Sequence, residues 1–106
     1  ARREFMNAAD LADFIYFAID RLEEIPQNLN VGLGRDYSIE EYYRAVASIV
    51  DFRGSFEFDL DRPVGMRQKL VDISQLDNLG WSYKTKLMDG ISKAYEYYKE
   101  ELLNEV

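Results

Sequence analysis

The chain of 106 residues carries 13 basic and 20 acidic side chains, which gives a formal net charge of −7. This charge argues against a nucleic-acid partner, and the absence of cysteine and histidine excludes disulfides, thiolate metal sites and histidine-based catalysis. A hydrophobic share of 47% is enough for one folded domain, and no apolar run is long enough to span a membrane. We therefore expect a single cytoplasmic domain without a bound metal.

The first predicted helix follows a short strand at residues 4–6 and begins after Asn7, a residue type that caps helix N-termini. Asp10 lies three residues further on, where its carboxylate could reach back to the cap. Apolar residues then recur at spacings of three and four until Pro26, which ends the helix. They are Leu11, Phe14, Ile15, Ala18, Ile19, Leu22 and Ile25. Because the centre of this helix is apolar nearly all round, we expect it to be covered on more than one side.

Three more predicted helices follow. A Ser-x-x-Glu capping box opens the second helix at Ser38, and the helix stops before Gly54. Ser74 and Asp77 are predicted to cap a short third helix that ends at Gly80, since glycine is common just after a helix C-terminus. Thr85 is the predicted cap of the last helix. Its apolar stripe comprises Leu87, Ile91, Ala94, Tyr95, Tyr98 and Leu102.

Strands are predicted where short apolar or alternating runs lie between the helices. Such runs occur at residues 29–31, 55–60 and 69–72, in addition to residues 4–6. The chain is therefore predicted to be an α+β domain with about four helices and three or four short strands.

Cations surround a Pro-Gly loop in the second half of this acidic chain. They are Arg62, Arg67 and Lys69, and guanidinium and ammonium groups at a glycine loop suit phosphate oxygens. The alternative is a surface that balances the neighbouring acids, and the pattern alone favours neither interpretation. Arg2 and Arg3 form a second cationic spot at the end of a strand. The two spots could converge on one anionic ligand in the fold.

Two other patterns resemble known motifs without their structural context. Gly32-x-Gly34 lacks the third glycine of a dinucleotide loop, and the next helix begins too late, so a tight turn is expected. Tyr95-x-x-x-Lys99 spells a tyrosine–lysine pair used in acid–base catalysis, but it lies in the apolar stripe of the last helix. We therefore predict no catalytic and no cofactor-binding residue in this chain.

Seven short segments occur in an order and spacing that are typical of one enzyme family. They are Arg3-Glu4-Phe5 with Ala9-Asp10-Leu11-Ala12, Asn30-Val31-Gly32-x-Gly34, Ser38-Ile39-x-Glu41, Arg62-Pro63-x-Gly65, Lys69-Leu70-Val71-Asp72, Leu79-Gly80-Trp81 and Leu87-x-x-Gly90-Ile91. Together they resemble the carboxy-terminal part of the extended short-chain dehydrogenase/reductase family, in particular GDP-L-fucose synthase and related sugar-nucleotide 3,5-epimerase/4-reductases. The resemblance covers nearly the whole chain.

The resemblance implies a division of labour in a longer parent enzyme. An amino-terminal Rossmann domain would bind NADP(H) and carry the catalytic residues, whereas residues 1–106 would form the carboxy-terminal lobe that holds the nucleotide-sugar. Such a fragment would bind no cofactor and be inactive alone. Residues 1–25 would pack on the missing domain, and their bare apolar face would favour self-association.

The resemblance also assigns roles to individual cations. In fucose synthases the equivalents of Arg3 and Lys69 contact the nucleotide diphosphate or lie beside it, and Arg62 and Arg67 are further candidates. The expected substrate is a nucleotide 4-keto-6-deoxy-sugar. Fucose synthases usually have aspartate where this chain has Val64, so the base and the sugar remain open. The alternatives are another nucleotide-sugar epimerase or dehydratase of this family, and a self-standing α+β interaction module without catalysis.

Overall fold

The structure is a computed structural model that describes residues 1–104. It contains two strands and four α-helices in the order β1 (Arg2–Arg3), α1 (Ala8–Ile19), β2 (Tyr37–Ser38), α2 (Ile39–Val50), α3 (Ser74–Leu79) and α4 (Leu87–Asn104). The strands pair antiparallel, with Arg2 opposite Ser38 and Arg3 opposite Tyr37. The predicted α+β class and the four helices are confirmed. The prediction of three or four strands is wrong for the described residues.

Local capping signals are confirmed at three helix ends. The Asn7 side chain accepts a hydrogen bond of 2.8 Å from the backbone N–H of Ala9 at the start of α1. At the start of α2, Ser38 Oγ accepts from Glu41 N at 3.1 Å, and Glu41 Oε1 accepts from Ser38 N at 3.2 Å. Gly80 ends α3 in the left-handed conformation with φ 93°. Each of these signals acts within a few residues of the chain. The predicted Ser74 cap of α3 is wrong, because Ile73 lies at the N-cap and no side chain caps this end.

Helix α1 ends earlier than predicted, at Ile19 rather than close to Pro26. Arg21 leaves helical geometry, with φ −130° and ψ 22°, and its guanidinium donates to the Phe17 carbonyl at 2.9 Å. A single 3₁₀ turn, Leu22–Glu24, follows. Ile25 is then extended, as the residue before a proline generally must be. The α-helix therefore ends before Arg21, and the 3₁₀ turn that follows ends before Pro26.

The predicted strands at residues 4–6, 29–31, 55–60 and 69–72 do not form in the described part of the chain. A strand requires a neighbour that accepts and donates its backbone hydrogen bonds. In residues 55–60 no such neighbour is present, and the side chain of Leu60 is 91% exposed. The run at residues 69–72 is replaced by one parallel bridge, between Gln68 and Arg2.

The hydrophobic core is small and lies between α1, α3 and the segment that follows α3. It contains Phe14, Leu76 and Trp81, and the rings of Phe14 and Trp81 meet edge to face at 5.3 Å. Partly buried residues surround it, namely Met6, Phe17, Ala18, Leu29, Val31, Ile73 and Tyr83. The radius of gyration is 17.0 Å, compared with about 13 Å for a compact domain of this size. The fold is therefore open, and much apolar surface remains uncovered.

Two carboxylates of α1 join this helix to the segment before α4. Asp10 is buried and does not reach back to its own cap; it accepts hydrogen bonds from Lys84 N, Thr85 N and Thr85 Oγ1 at 3.1–3.3 Å. The Thr85 hydroxyl thus donates to Asp10. Asp13 accepts from Lys84 Nζ and from the Trp81 ring nitrogen, each at 2.8 Å. These two bonds, that from Lys84 first, hold the pKa of Asp13 below its usual value.

The outer face of α1, which we define as Leu11, Ile15, Tyr16 and Ile19, points away from the core. These side chains are between 46% and 77% exposed. The expected cover on a second side of α1 is therefore not provided by residues 1–104. None of the described helices combines the length and the apolar character that a bilayer crossing requires.

Candidate anion-binding site

Two cation-bearing segments lie side by side in the fold. The backbone N–H of Arg2 donates to the Arg67 carbonyl at 2.8 Å, and the N–H of Lys69 donates to the Arg2 carbonyl at 3.3 Å. These two bonds make a parallel bridge between Arg2 and Gln68. We refer to residues 2–5 together with residues 67–69 as the anchored segment. The two cationic spots of the sequence meet in it.

Tyr42 of α2 holds the other side of residues 2–5. Its hydroxyl donates to the Arg3 carbonyl at 2.8 Å and accepts from Phe5 N at 3.3 Å. Burial raises the pKa of Tyr42, which keeps the hydroxyl protonated and able to donate. Between these residues, Glu4 Oε2 accepts from Gly34 N at 3.1 Å. The backbone on either side of Arg3 is therefore fixed by contacts that are distant in sequence.

The Arg3 side chain lies at the junction of the two segments. Its Nη1 donates at 2.7 Å to the Arg2 carbonyl, which also accepts from Lys69 N. Its Nη2 is 4.0 Å from the place where a Cβ on Gly65 would lie, and Gly65 has a φ of 66°. The Arg3 guanidinium thus lies near the backbone of Lys69 and the Pro-Gly loop. Arg3 is half-buried, whereas Lys69 is exposed.

The anchored segment carries cationic charge that the described residues do not neutralise. Within residues 1–104, no carboxylate oxygen lies within 4.0 Å of a charged nitrogen of Arg3, Arg67 or Lys69. Arg2, in contrast, pairs with Asp36 at 2.9 Å. Three cations without acidic partners on a fixed backbone can bind phosphate oxygens by charge-assisted hydrogen bonds.

The fourth predicted cation, Arg62, has an acidic partner in its own loop. Its Nε donates to Asp59 Oδ2 at 3.0 Å, and Asp59 Oδ1 accepts from Asp61 N at 3.1 Å. Arg62 is therefore neutralised within its own loop, unlike Arg3. The same contacts occupy the Asp59 carboxylate, and the described residues contain no group of three or more acidic side chains that could hold a metal ion.

The Gly32-x-Gly34 turn does not fit a dinucleotide. A Cβ at Gly32 would collide with the side chains of Glu4 and Val71, so the turn is filled by the protein itself. The N-terminus of α2 is closed by the Ser38 capping box. The chain bends at Gly32 and Gly34, but the strand expected before them is absent from the described residues, so the predicted strand-to-helix turn is present only as a bend.

The Tyr95-x-x-x-Lys99 pattern does not form an acid–base pair. Lys99 Nζ lies over the face of the Tyr95 ring, 4.6 Å from its centre, and pairs with Glu96 at 3.0 Å. The hydrogen bond that Lys99 donates to the Glu96 carboxylate raises the pKa of Lys99, which keeps the ammonium charged. The pair is a surface cation–π contact on α4.

Sequence reasoning missed a groove away from the anchored segment, and it missed Asp36, which joins the two halves of that segment. A groove of about 1050 Å³ lies between residues 5–8, α2 and α4, and none of the four predicted cations lines it. Its lining includes Phe5, Arg35, Tyr37, Tyr42, Tyr83 and Lys86. Asp36, also missed, accepts from both Arg2 and Gln68. Its partners are 34 and 32 residues away, so no local pattern could have indicated them.

The chain matches no protein-family model, but it is similar to curated enzymes. It is 51% identical over 105 residues to GDP-L-colitose synthase of Yersinia pseudotuberculosis and 50% identical over 98 residues to GDP-L-fucose synthase of Azorhizobium caulinodans. The alignments take in 99% and 92% of this chain, but 34% and 31% of those relatives. The chain thus spans about a third of the length of the curated relatives it matches.

Solved structures of similar fold include a GDP-6-OMe-4-keto-L-xylo-heptose reductase from Campylobacter jejuni, with a TM-score of 0.87 and 36% identity. A GDP-mannoheptose C4 reductase from the same organism, which was solved with NADP bound, has a TM-score of 0.81 and 36% identity. They cover 95% and 93% of this chain, and this chain covers 32% of each of them. Similarity in sequence and similarity in structure therefore extend over the same, nearly complete, length of the chain.

Proposed function

We propose that this chain, which corresponds to a carboxy-terminal portion of GDP-L-fucose synthase-like members of the extended short-chain dehydrogenase/reductase family, binds the diphosphate of a nucleotide-sugar. Arg3 and Lys69 make the principal contacts, and Arg67 adds a third cation. Arg62 is left out of this site because Asp59 already accepts its hydrogen bond.

The observation that carries the proposal is that the Arg2 carbonyl oxygen accepts hydrogen bonds from both segments. The Arg3 guanidinium and the Lys69 backbone N–H donate to the same Arg2 carbonyl, so the two residues start about 4.8 Å apart, one strand spacing. Their backbones are held before any ligand arrives. A fixed site avoids part of the ordering cost of binding, which is about 0.5–1.5 kcal/mol for each long side chain immobilised.

The proposed substrate class is a GDP-linked 4-keto-sugar. The names of the four relatives described above all contain GDP, and two of them are reductases whose names specify a 4-keto sugar or reduction at C4. The sugars differ among these relatives, so the sugar of the present protein is not assigned. Val64 lies where fucose synthases usually have aspartate, so a nucleotide-sugar with a different base is the alternative.

NADP(H) is proposed as the cofactor of the whole protein, which would supply hydride for the reduction. We propose that the cofactor is bound outside the described residues, and the crowded Gly32 and the capped N-terminus of α2 support this for residues 32–39. The task of this chain is then to position the sugar through the diphosphate, so that binding energy remote from the reacting carbon orients it.

The outer face of α1 is the proposed contact with a cofactor-binding domain. Leu11, Ile15 and Ile19 are half-exposed there, and the curated relatives are about three times as long as this chain. Contiguous exposed apolar side chains favour burial against a partner. That residues 1–25 pack on such a domain, that the chain alone self-associates and is inactive, and that it is cytoplasmic all stay predictions.

The test uses single substitutions in the protein that carries this chain. Lys69→Ala and Arg3→Ala should each raise the KM for the nucleotide-sugar about tenfold or more, since a hydrogen bond to a charged group contributes about 1.5–3 kcal/mol. The maximal rate should fall less than the KM rises, because the lost contact is remote from the reacting carbon. Steady-state kinetics, in which the oxidation of NADPH is monitored, measure both the KM and the maximal rate.

Arg62→Ala is the matched control, because it removes a cation of the neighbouring loop that Asp59 already neutralises. Its KM should stay within about twofold of the unsubstituted protein, as expected for an exposed ion pair. An unchanged KM in both Lys69→Ala and Arg3→Ala would remove the anchored segment from the substrate site.

A further inference from the structure

One carboxylate bonds to both halves of the anchored segment. Asp36 Oδ1 accepts from Arg2 Nε at 2.9 Å, and Asp36 Oδ2 accepts from Gln68 Nε2 at 2.6 Å. The Asp36 carbonyl also accepts from Arg2 Nη2 at 3.4 Å. Its side chain is only 8% exposed, although it lies in the turn before β2. Among the described residues, no other side chain bonds to the side chains of both residues of the bridge.

The position of Asp36 follows from the alternation of side chains in extended chain. Arg2 and Gln68 face each other in the parallel bridge, and both of their side chains turn to Asp36 on one face. Neighbouring residues in an extended strand point to the opposite face. The residues next to the bridge are Arg3 on one segment and Arg67 and Lys69 on the other. By this alternation Asp36 holds the bridge from the face opposite to Arg3 and Lys69, whereas Arg67 lies at a bend, where the alternation does not apply.

We propose that Asp36 is a positioning residue for the diphosphate: by gripping Arg2 and Gln68 it fixes the spacing between Arg3 and Lys69 without touching the ligand. The inference rests on the proposed function of the anchored segment. It also gives the two adjacent arginines different tasks. Arg2 is neutralised by Asp36 and serves the fold, whereas Arg3 keeps its charge for the ligand.

The physical effect is on the entropy of the site. A diphosphate bound by two long side chains requires both to adopt one geometry, and loosening the backbone from which they extend adds to that cost. Of the two backbone hydrogen bonds of the bridge, the one from Arg2 N to the Arg67 carbonyl is 2.8 Å long and the one from Lys69 N to the Arg2 carbonyl is 3.3 Å long, so the backbone holds Lys69 less firmly than Arg67. The two short bonds to Asp36 supply the lateral restraint.

The experiment measures GDP binding by calorimetry and turnover kinetics in the protein that carries this chain. Asp36→Asn keeps the size of the side chain but leaves a single acceptor oxygen for two donors. The Kd for GDP should rise about tenfold, the effect of losing one charge-assisted hydrogen bond. The maximal rate at saturating nucleotide-sugar should stay within about twofold, because a misplaced anchor affects binding more than chemistry.

A matched control and a rescue separate positioning from general stability. Asp51→Asn makes the same chemical change in an exposed ion pair with Arg53, and it should leave the Kd for GDP unchanged. The double variant Asp36→Asn with Gln68→Glu exchanges amide and carboxylate, so the new amide at position 36 can donate to the new carboxylate at position 68. It should restore the Kd for GDP to within about threefold of the original value.

The outcomes distinguish this inference from the proposed function. If Lys69→Ala weakens GDP binding while Asp36→Asn and Gln68→Ala leave it unchanged, the diphosphate site stands and the positioning role is overturned. If Lys69→Ala also leaves GDP binding unchanged, the proposed function fails and the positioning role fails with it. Should Asp36→Asn not fold, the exposed Gln68→Ala decides alone, with about threefold weaker GDP binding expected.

Discussion

The anchored segment and the loop of residues 59–66 each carry an arginine that sequence analysis selected, Arg3 and Arg62, yet the structure holds the two regions in different ways. In the anchored segment the side chain of Arg3 bonds to its neighbour Arg2, but the other side-chain bonds join residues 30–39 positions apart, such as Tyr42 to Arg3 and Gly34 to Glu4. In the loop the side-chain bonds join residues two or three positions apart, as between Arg62 and Asp59. A cation that pairs with a neighbouring acid in an exposed loop needs no ligand to balance its charge. A cation without an acidic partner, on a backbone held by distant residues, suits the ligand contact proposed above.

The largest effect on the anchored segment is expected from Tyr42→Phe. The substitution keeps the ring, which packs on Phe5 at 4.6 Å, but removes both hydrogen bonds of the hydroxyl. The Phe5 N–H and one lone pair of the Arg3 carbonyl then lose their partners in a half-buried site. The free energy of unfolding should fall by about 1–2 kcal/mol, measured by urea denaturation.

Tyr43→Phe is the control for this prediction, because Tyr43 follows directly on the same helix. It is 58% exposed, and its hydroxyl makes no hydrogen bond within residues 1–104. Its loss should change the free energy of unfolding by less than about 0.5 kcal/mol. Equal effects of the two substitutions would show that residues 2–5 are not held more firmly than the rest of the surface.

A smaller effect is expected where the loop meets the anchored segment, at Gly65. An added Cβ would lie no closer than 4.0 Å to Arg3 Nη2, so Gly65→Ala creates no collision there. Its φ of 66° is nevertheless unfavourable for alanine, and the free energy of unfolding should fall by about 1 kcal/mol. Thermal unfolding followed by circular dichroism measures the change.

Gly65→Asn separates backbone strain from steric bulk, because asparagine is larger than alanine but adopts the left-handed conformation more readily. It should recover part of the stability lost in Gly65→Ala. If asparagine destabilised the protein more than alanine, bulk beside Arg3 rather than backbone strain would be the cause.

The smallest expected effect is a pH dependence of the free energy of unfolding, which arises from Asp36 beside the anchored segment. The hydrogen bond from Gln68, followed by that from Arg2, holds the pKa of Asp36 below its usual value. A carboxyl whose pKa is lowered by folding stabilises the folded state above its unfolded pKa of about 3.9, and this contribution is lost as the pH falls through the lower, folded value. The stability difference between the original protein and Asp36→Asn should therefore shrink below about pH 4. A difference that is the same at pH 3 and pH 7 would contradict this origin.

The features that sequence alone predicted correctly are those with nearby causes. The Asn7 cap, the Ser38–Glu41 box and Gly80 each depend on contacts within three residues, and each is present. The strand at residues 55–60 failed because alternation reports only that one side of a segment is apolar. Whether a partner lies alongside is decided by the rest of the fold, and here none does.

The candidate site could be predicted only in part. The cations at Arg3 and Lys69 came from charge and from the family resemblance, and their segments do meet, through a backbone bridge at Arg2. Asp36 was missed because Gly34-Arg35-Asp36 has the composition of any turn, and its burial follows from two distant donors. The hydrogen-bond donors of Asp10 were predicted wrongly for the same reason. The carboxylate was expected to reach back to the cap of its own helix, but its donors lie 74 and 75 residues further along the chain.

The hydrogen bonds of Asp10 to residues more than 70 positions away have a consequence for co-translational folding. The carboxylate at the start of α1 has no donors until Lys84 and Thr85 emerge, and Trp81 must also arrive before the ring of Phe14 is covered. Because contacts of such sequence separation close late, the nascent domain should remain open through most of its translation. Helix α1 would then be exposed to chaperones for longer than α2, whose capping box is complete once Glu41 has left the exit tunnel.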